Sequence, residues 1–502
     1  MVAWFADIGM GFSNCLDPMI FLTSLGGVML GVIIGFIPGL GPAVAISVAI
    51  PITHTMGVLP AIALMLGIYK GGTYGGSISA ILINTPGTPA AAATLFDGWP
   101  LAQQGKSGKA LDLALIASVF GDAVGMLVLC AVAMPVAAIA MKFGPAELTC
   151  LLLFAMTIVG SLGGKSLLRG LFATLLGIML STVGVDPMSG DYRFTWGILY
   201  LEDGLAIIPM VIGLFAMAEV YRQVAKVDGS LKASLLPPAK HPDDNRVTWP
   251  EFKRCLPVLL QSSIIGVGVG ALPGTGATTA AFVAYGTAQQ RSKHPEEFGK
   301  GSIEGIAAAE SGNNAVCGGA LVPMLTLGVP GDVVTAILMS ALMVHGIHVG
   351  PNIFVDHREF MFTLFGLALV SIIMLFVCGR IALRYLRNLG SLPQAVVMPL
   401  VMLLCVLGAY ATNNQISDVW FMLGMGLVGL VLSALEIPLA PLVIGFILVP
   451  NLEMSFRQAL HLSDGSYWTF VTKPIALFFL ILAAVSCLHI ARTSRRRLRA
   501  EG

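Results

Sequence analysis

The sequence predicts an all-α polytopic membrane protein of roughly ten to fourteen transmembrane segments, in which four Pro-Gly-broken, re-entrant or discontinuous arms make two inverted repeats. Three observations carry that prediction. The 502 residues are 56% hydrophobic and only 11% charged, with a mean hydropathy of +0.86, whereas a soluble domain carries about 25% charged residues. Pro-Gly pairs interrupt runs that would otherwise be helices, at 38–39, 86–87, 273–274 and 330–331. Proline lacks a backbone donor and glycine tolerates left-handed angles, so each pair should end its helix. Finally, the chain resembles itself. Residues 31–41 (GVIIGFIPGLG) match 266–276 (GVGVGALPGTG) at six of eleven positions without a gap. Residues 75–87 align with 318–331 if one insertion is allowed, and 86–94 matches 273–281 at five of nine positions.

A backbone break inside hydrocarbon is tolerated only where protein, water or solute satisfies its freed amides and carbonyls. Paired, Gly/Pro-interrupted segments in corresponding places therefore point to a transporter's binding site. The competing reading is that glycine-rich membrane helices merely pack closely. It does not predict the Asn and Thr residues beside the breaks.

Taken in order, residues 15–221 read as a first membrane half. A long apolar run at 19–37 leads to the break at Pro38-Gly39 and on to Pro51. A helix from about Leu59 should reach Lys70, followed by a glycine-rich turn (KGGTYGG) into the second arm. The stretch 98–109 reads as a polar, exposed loop, and apolar runs follow near 111–141, 147–163, 167–184 and 204–220. Residues 222–254 form a hydrophilic, basic linker, 255–450 a second half, and 451–502 a C-terminal helix with a basic tail. Basic linker and tail belong in the cytoplasm, and the N-terminus, free of Lys and Arg over its first thirty residues, belongs on the periplasmic side. No cleavable signal is expected there. This charge pattern is what sets the two halves in opposite orientations.

Composition also excludes classes. The formal net charge is +1, with no basic face suited to nucleic acid. The eight cysteines are scattered singly, so neither a disulfide framework nor a zinc site is indicated. No GxSxG, Walker A or HExxH motif is present, and Asp243-Asp244 lies in the hydrophilic linker, so an enzyme lacks its chemistry. The absence of an ATP site favours an ion gradient as the energy source. His345 and His348 have ligand-like spacing, but their glycines mark a loop; His54 stands alone near Pro51.

Residues able to bind an anionic solute cluster at the breaks: Ser77, Ser79, Asn84, Thr85, Gly87 and Thr88 in the first half, and Gly274, Thr275, Asn313, Asn314 and Gly331 in the second. Thr278 and Thr279 follow the third break. Half-helix ends with free amides attract carboxylates, whereas freed carbonyls and amide oxygens suit Na⁺. Gly39, Asn84, Glu310, Asn314, Thr326 and Asp332 are the candidates for coupling a cation. For each hydroxyl the alternative is a cap on its own helix. Asp332 reads as the N-cap of the fourth half-helix, Asp203 as an interfacial turn residue, and Glu310 as preceding a glycine-asparagine turn. Lys70 and Asp122 lie within or beside apolar segments; Lys70 either snorkels to the headgroups or faces the anion.

Two blocks, KGGTYGGSISAILINTPGTPAAAATLFDGWPLAQQGKSGKAL and AAAESGNNAVCGGALVPMLTLGVPGDVVTAILMSALMVHGIHVGP, are similar to the large membrane subunit of the tripartite tricarboxylate transporters. The likeness runs from about residue 15 to 450. It implies a bacterial inner-membrane carrier for citrate-like carboxylates, driven by Na⁺ or H⁺ and needing no other cofactor. It also implies two partners, a periplasmic solute-binding protein and a small four-helix membrane subunit. The alternatives are a passive channel or assembly subunit and, further off, a lipid-modifying membrane enzyme. A channel should show a continuous polar ring, whereas polarity here clusters at two related points.

Overall fold

The computed structural model describes residues 2–37, 39–162, 167–186, 188–225, 237, 241–386 and 394–501. Among them, seven helices are long and apolar enough to cross a membrane, and shorter apolar helices accompany them. The fold is all-α and polytopic. Pro38, Pro187 and most of the basic linker, including Lys226, Lys232 and Lys240, lie outside the described residues.

The helices of the two repeats, and the two that pack across them, are labelled α1 to α10 in chain order. The first repeat contains α1 (Pro18–Phe36), α2 (Pro42–Thr53), α3 (Val58–Ile83) and α4 (Ala91–Leu101), followed by the long α5 (Ser107–Ala140). The second contains α6 (Trp249–Gly270), α7 (Gly276–Arg291), α8 (Ile303–Leu327) and α9 (Val333–Val344), followed by α10 (Arg358–Leu386). All four sequence breaks are breaks in the structure. They separate α1 from α2, α3 from α4, α6 from α7 and α8 from α9.

Two corrections concern continuity. The glycine-rich stretch 70–76 is no turn, because α3 runs unbroken from Val58 to Ile83. Nor is there a turn after Glu310, since α8 runs unbroken from Ile303 to Leu327. Glycine lowers helix propensity by about 1 kcal/mol per residue, but here it lets backbones touch. A Cβ on Gly31 would lie 2.5 Å from the Ile68 carbonyl oxygen, and one on Gly75 2.5 Å from that of Val32. Close packing of small residues is a main source of helix association in lipid, and α3 and α8 are buried along nearly their whole lengths. A third correction is that 98–109 is helical: α4 passes through a kinked turn at 102–106 into α5, with Gly105 at φ 82° and both Gly108 and Lys109 buried.

The repeat is visible in the contacts. A shift of 235 residues carries Gly35 to Gly270 and Gly39 (φ 88°) to Gly274 (φ 80°). A shift of 244 carries Gly87 to Gly331 and Asn84 to Gly328. Asn84 and Gly328 are the left-handed C-caps of α3 and α8, at φ 55° and 68°. A Cβ on Gly87 would press on Gly35 and lie 2.7 Å from Gly76 Cα; one on Gly331 would press on Gly270 and lie 2.6 Å from Ala320 Cα. Gly75 on Val32 is matched by Gly319 on Val267. The structural register therefore pairs Gly75 with Gly319 and needs no insertion. The gapped alignment of 75–87 with 318–331 is one residue off at its start, drawn there by the repeated Gly-Gly.

The halves meet along α3 and α8. Tyr69 meets Asp332, just beyond α8; Thr73 Oγ1 lies 3.8 Å from Cys317 Sγ; Ser77 meets Glu310. As α3 advances, its partner's numbers fall, so the two helices run antiparallel. Thr73 and Cys317 are also repeat equivalents under the 244-residue shift. Equivalent residues touching on antiparallel helices put the pseudo-two-fold axis between them and across the helices, the geometry of inverted repeats. Around this centre, α5 packs along α8, while α10 packs on α1, α3 and α5.

Away from the centre, a short antiparallel hairpin pairs β1 (Gly184–Val185) with β2 (Tyr192–Arg193). Asp186 in its turn accepts the amides of Met188 and Ser189 at 2.8 and 3.1 Å and pairs with Arg457 at 2.9 Å. Those two amides, with the guanidinium beside them, lower the Asp186 carboxyl to about 2.

Candidate functional site

The polar centre is built where α3, α4, α5 and α8 converge. Glu310, on α8, is fully buried. Ser77 on α3 and Thr94 on α4 donate their hydroxyls to Glu310 Oε1, the first at 2.5 Å. Ser118 on α5 donates to Oε2 at 2.8 Å. Asn314, one turn along α8, gives its Nδ2 to Ser118 Oγ at 2.9 Å and to the Glu310 carbonyl at 3.0 Å. Four elements are thus tied to one carboxylate, and no cation stands within ion-pair distance of it among the described residues. One turn further along α5, Asp122 pairs with Lys70 at 3.0 Å, and Lys70 also donates to the Ala368 carbonyl at 2.6 Å on α10. Both partners are buried. Lys70 therefore does not snorkel: its side chain is fully buried, and its charge is already met by Asp122.

The second polar point is the break between α8 and α9. Asp332 caps α9 as the sequence predicts, accepting the Thr335 amide at 2.8 Å through Oδ1 and the Tyr69 hydroxyl at 2.7 Å through Oδ2. Gly274, at the neighbouring break, donates its amide to the Gly331 carbonyl at 2.8 Å. In the first half the Gly87 amide instead bonds the Gly76 carbonyl of α3 at 3.1 Å, and Gly87 presses on Gly35 at the end of α1. Each half-site is thus two breaks tucked against each other.

The residues singled out from the sequence divide into two groups. Ser77, Glu310 and Asn314 meet in one network, while Gly274, Gly331 and Asp332 meet at the second break. Asn313 is fully buried, and neither its Nδ2 nor its Oδ1 has a partner; Asn314 Oδ1 is equally unpaired. Such orphans are costly in a finished core and mark a place for a ligand, water or ion. The other hydroxyls serve their own backbones. Ser79 bonds the Gly76 carbonyl, Thr85 that of Ile83, Thr275 that of Leu272 and Thr326 that of Val322, while Thr88 accepts the Ala91 amide. Asn84 is an exposed left-handed cap, and Gly39 faces Glu219 and Gln223 rather than the polar centre. His345 Nε2 lies 3.4 Å from Thr53 Oγ1, and its ring 6.1 Å from that of His54. No group of three or more His, Cys, Asp or Glu residues gathers for a metal among the described residues.

Sequence reasoning missed Thr94, Ser118 and Tyr69. Ser118 and Asp122 stand four apart on an apolar helix, which puts them on one face, and that spacing was the available signal.

A family model described as the tripartite tricarboxylate transporter TctA family matches residues 21–444. The chain belongs to this family. The matched span takes in every residue of the two polar points described above. A protein of Agrobacterium vitis described as an "uncharacterized 52.8 kDa protein in TAR-I ttuC' 3'region" is 32% identical over 491 residues, 98% of this chain and 97% of its own length. A second from the same organism, described as an "uncharacterized protein in TAR-II ttuC' 3'region", is 33% identical over 223 residues, 44% of this chain and 92% of its own. No solved structure matches. In this chain, then, hydroxyl, amide and carboxylate groups meet in the buried interior where the two repeats join.

Proposed function

We propose that this chain is the permease subunit of a secondary active transporter that imports carboxylates, citrate-like tricarboxylates among them, across the bacterial inner membrane. A periplasmic binding protein delivers the solute, a small four-helix subunit accompanies the permease, and a Na⁺ or H⁺ gradient drives uptake. The N-terminus is periplasmic and the C-terminus cytoplasmic. The observation that supports this reading is Asn313: a buried amide in mid-α8 with donor and acceptor both unspent. An amide of that kind, with half-helix ends, can take carboxylate oxygens. The broken arms would move as a body against α5 and α10, opening the site to each side in turn.

The test is uptake into proteoliposomes containing the chain, its membrane partner and the binding protein, using a labelled carboxylate panel. Saturable accumulation that needs the binding protein and stops when the ion gradient collapses is expected. Solute movement that merely equilibrates, indifferent to gradients, would identify a channel instead. Replacing the Na⁺ gradient by a proton gradient alone separates the two driving ions.

A further inference from the structure

We infer that the cage around Glu310 is a Na⁺ site, formed by the Glu310 carboxylate, the hydroxyls of Ser77, Thr94 and Ser118, and the Asn314 side-chain carbonyl. The inference rests on the reading of an ion-coupled carrier and specifies which ion is bound, and where.

Comparison of three buried carboxylates at the centre leads to this assignment. Asp122 is neutralised by Lys70 at 3.0 Å. Asp332 has its Oδ1 held by the Thr335 amide, and an N–H can only donate. Fixed donors of that kind stabilise an anion permanently and leave nothing to turn toward a metal. Glu310 differs on both counts: among the described residues no cation stands within ion-pair distance of it, and the three partners closest to its oxygens are hydroxyls, with the Asn314 amide farther off at 3.5 Å. A hydroxyl is donor and acceptor at once. When it rotates, its proton leaves the carboxylate and a lone pair faces the space between them. Three such groups can therefore turn from hydrogen-bond donors into oxygen ligands as they draw back from the carboxylate to admit the ion. Asn314 supplies an independent pointer. Its Nδ2 lies on Ser118 Oγ, the Glu310 carbonyl and, at 3.5 Å, Glu310 Oε2, while its Oδ1 is buried and unpaired; turning the amide over exchanges those N–H groups for the unspent oxygen on the side of the carboxylate.

The donor set is all oxygen, with one formal negative charge and neutral hydroxyl and amide groups for the rest. That is chemistry for a hard cation of low charge. One Na⁺ balances the lone carboxylate, where a divalent ion would leave positive charge stranded in a dry interior. The cage also joins both halves, since Ser77, Thr94 and Ser118 come from the first and Glu310 and Asn314 from the second. Occupancy consequently bears on the contact between the broken arms and α5, which Ser118 makes.

Thermal unfolding of the purified full chain in lipid nanodiscs, at fixed pH, with NaCl titrated against choline chloride, tests the site without partners or carboxylate. A saturable rise in melting temperature with Na⁺ is expected, together with stoichiometric binding of radioactive ²²Na⁺. Thr94→Ser should keep both signals. Thr94→Val and Glu310→Gln should each weaken binding by about tenfold or more, the scale of one lost interaction of about 1.4 kcal/mol. Should Glu310→Gln fail to fold, the Thr94→Val and Thr94→Ser pair decides alone. Stabilisation that follows pH and ignores Na⁺, or Na⁺ binding undiminished in Thr94→Val, overturns the site. The carrier reading fails separately: Na⁺ bound normally by a chain that never accumulates carboxylate with its partners would reject transport and leave the cage standing.

Discussion

Tyr69 and Asp332, 263 positions apart, meet at 2.7 Å through the tyrosine hydroxyl and a carboxylate oxygen, joining an unbroken helix of the first repeat to a broken one of the second. Asp332 is buried, and the Tyr69 hydroxyl is the side-chain donor to that oxygen. Tyr69→Phe should therefore cost about 1–3 kcal/mol, the penalty for a buried acceptor left bare. Unfolding of the purified variant measures it, and wild-type stability would show that the contact carries no weight.

The Lys70–Asp122 pair makes a sharper demand. Removing one buried partner strands the other, so Lys70→Met should lose about 3–5 kcal/mol. The double variant Lys70→Met/Asp122→Leu removes the stranded charge and should be more stable than Lys70→Met alone. A double variant at least as unstable as the single would mean that the two charges do not interact as their 3.0 Å separation implies.

Gly87 and Gly331 occupy equivalent places in tight apposition, and alanine at either should fail for the same reason. Its Cβ would meet backbone, which cannot swing away, and overpacking costs about 1–3 kcal/mol or more. Gly268 on α6 is the control. Nothing lies within 4 Å of a Cβ there, so Gly268→Ala should be neutral or gain roughly 0.5–1 kcal/mol. Comparable damage at all three positions would rule out the close-approach explanation.

Asn313 and Asn84 should separate in their effects. Asn313→Ala removes polar atoms that have no partner, so uptake should vanish while the melting temperature holds or rises. Asn84 serves as a left-handed cap, and its repeat equivalent is glycine. Asn84→Gly should then transport normally, whereas Asn84→Ala should lose about 1 kcal/mol of stability. Loss of uptake in Asn84→Gly would instead make that amide a ligand.

Acid should reach the Asp186 turn late. Its carboxyl lies at about 2, below its unfolded value of about 3.9. A depressed carboxyl stabilises the folded hairpin fully above the unfolded value and loses that contribution as pH falls from about 4 toward about 2. Hydrogen exchange of the Met188 and Ser189 amides should stay protected to the lower end of this window, and Asp186→Asn should remove the dependence.

Breaks were the legible part of the fold, because Pro-Gly imposes its consequences locally. Continuity through Lys70–Gly76 was not, since glycine reads as a turn until a partner helix is known to press on it. The same blindness displaced the repeat alignment: Gly75 could match either glycine of a pair, and only its contact with Val32 chose Gly319. At the site, Glu310 and Asn314 stood out as polar residues among apolar neighbours. Thr94 and Ser118 did not, because a hydroxyl within a helix commonly bonds its own backbone, and nothing local says that these two reach across to a carboxylate from the other half.

The burial of α3 and α8 bears on how the polypeptide is made. Neither is among the segments greasy enough to enter a bilayer on length and composition, yet both finish with almost no lipid contact. Each follows in the chain a more oily helix, α1 before α3 and α6 before α8, whose glycine-lined face is there to receive it. The glycine ladders that bring the helices together in the finished protein would then serve their insertion as well.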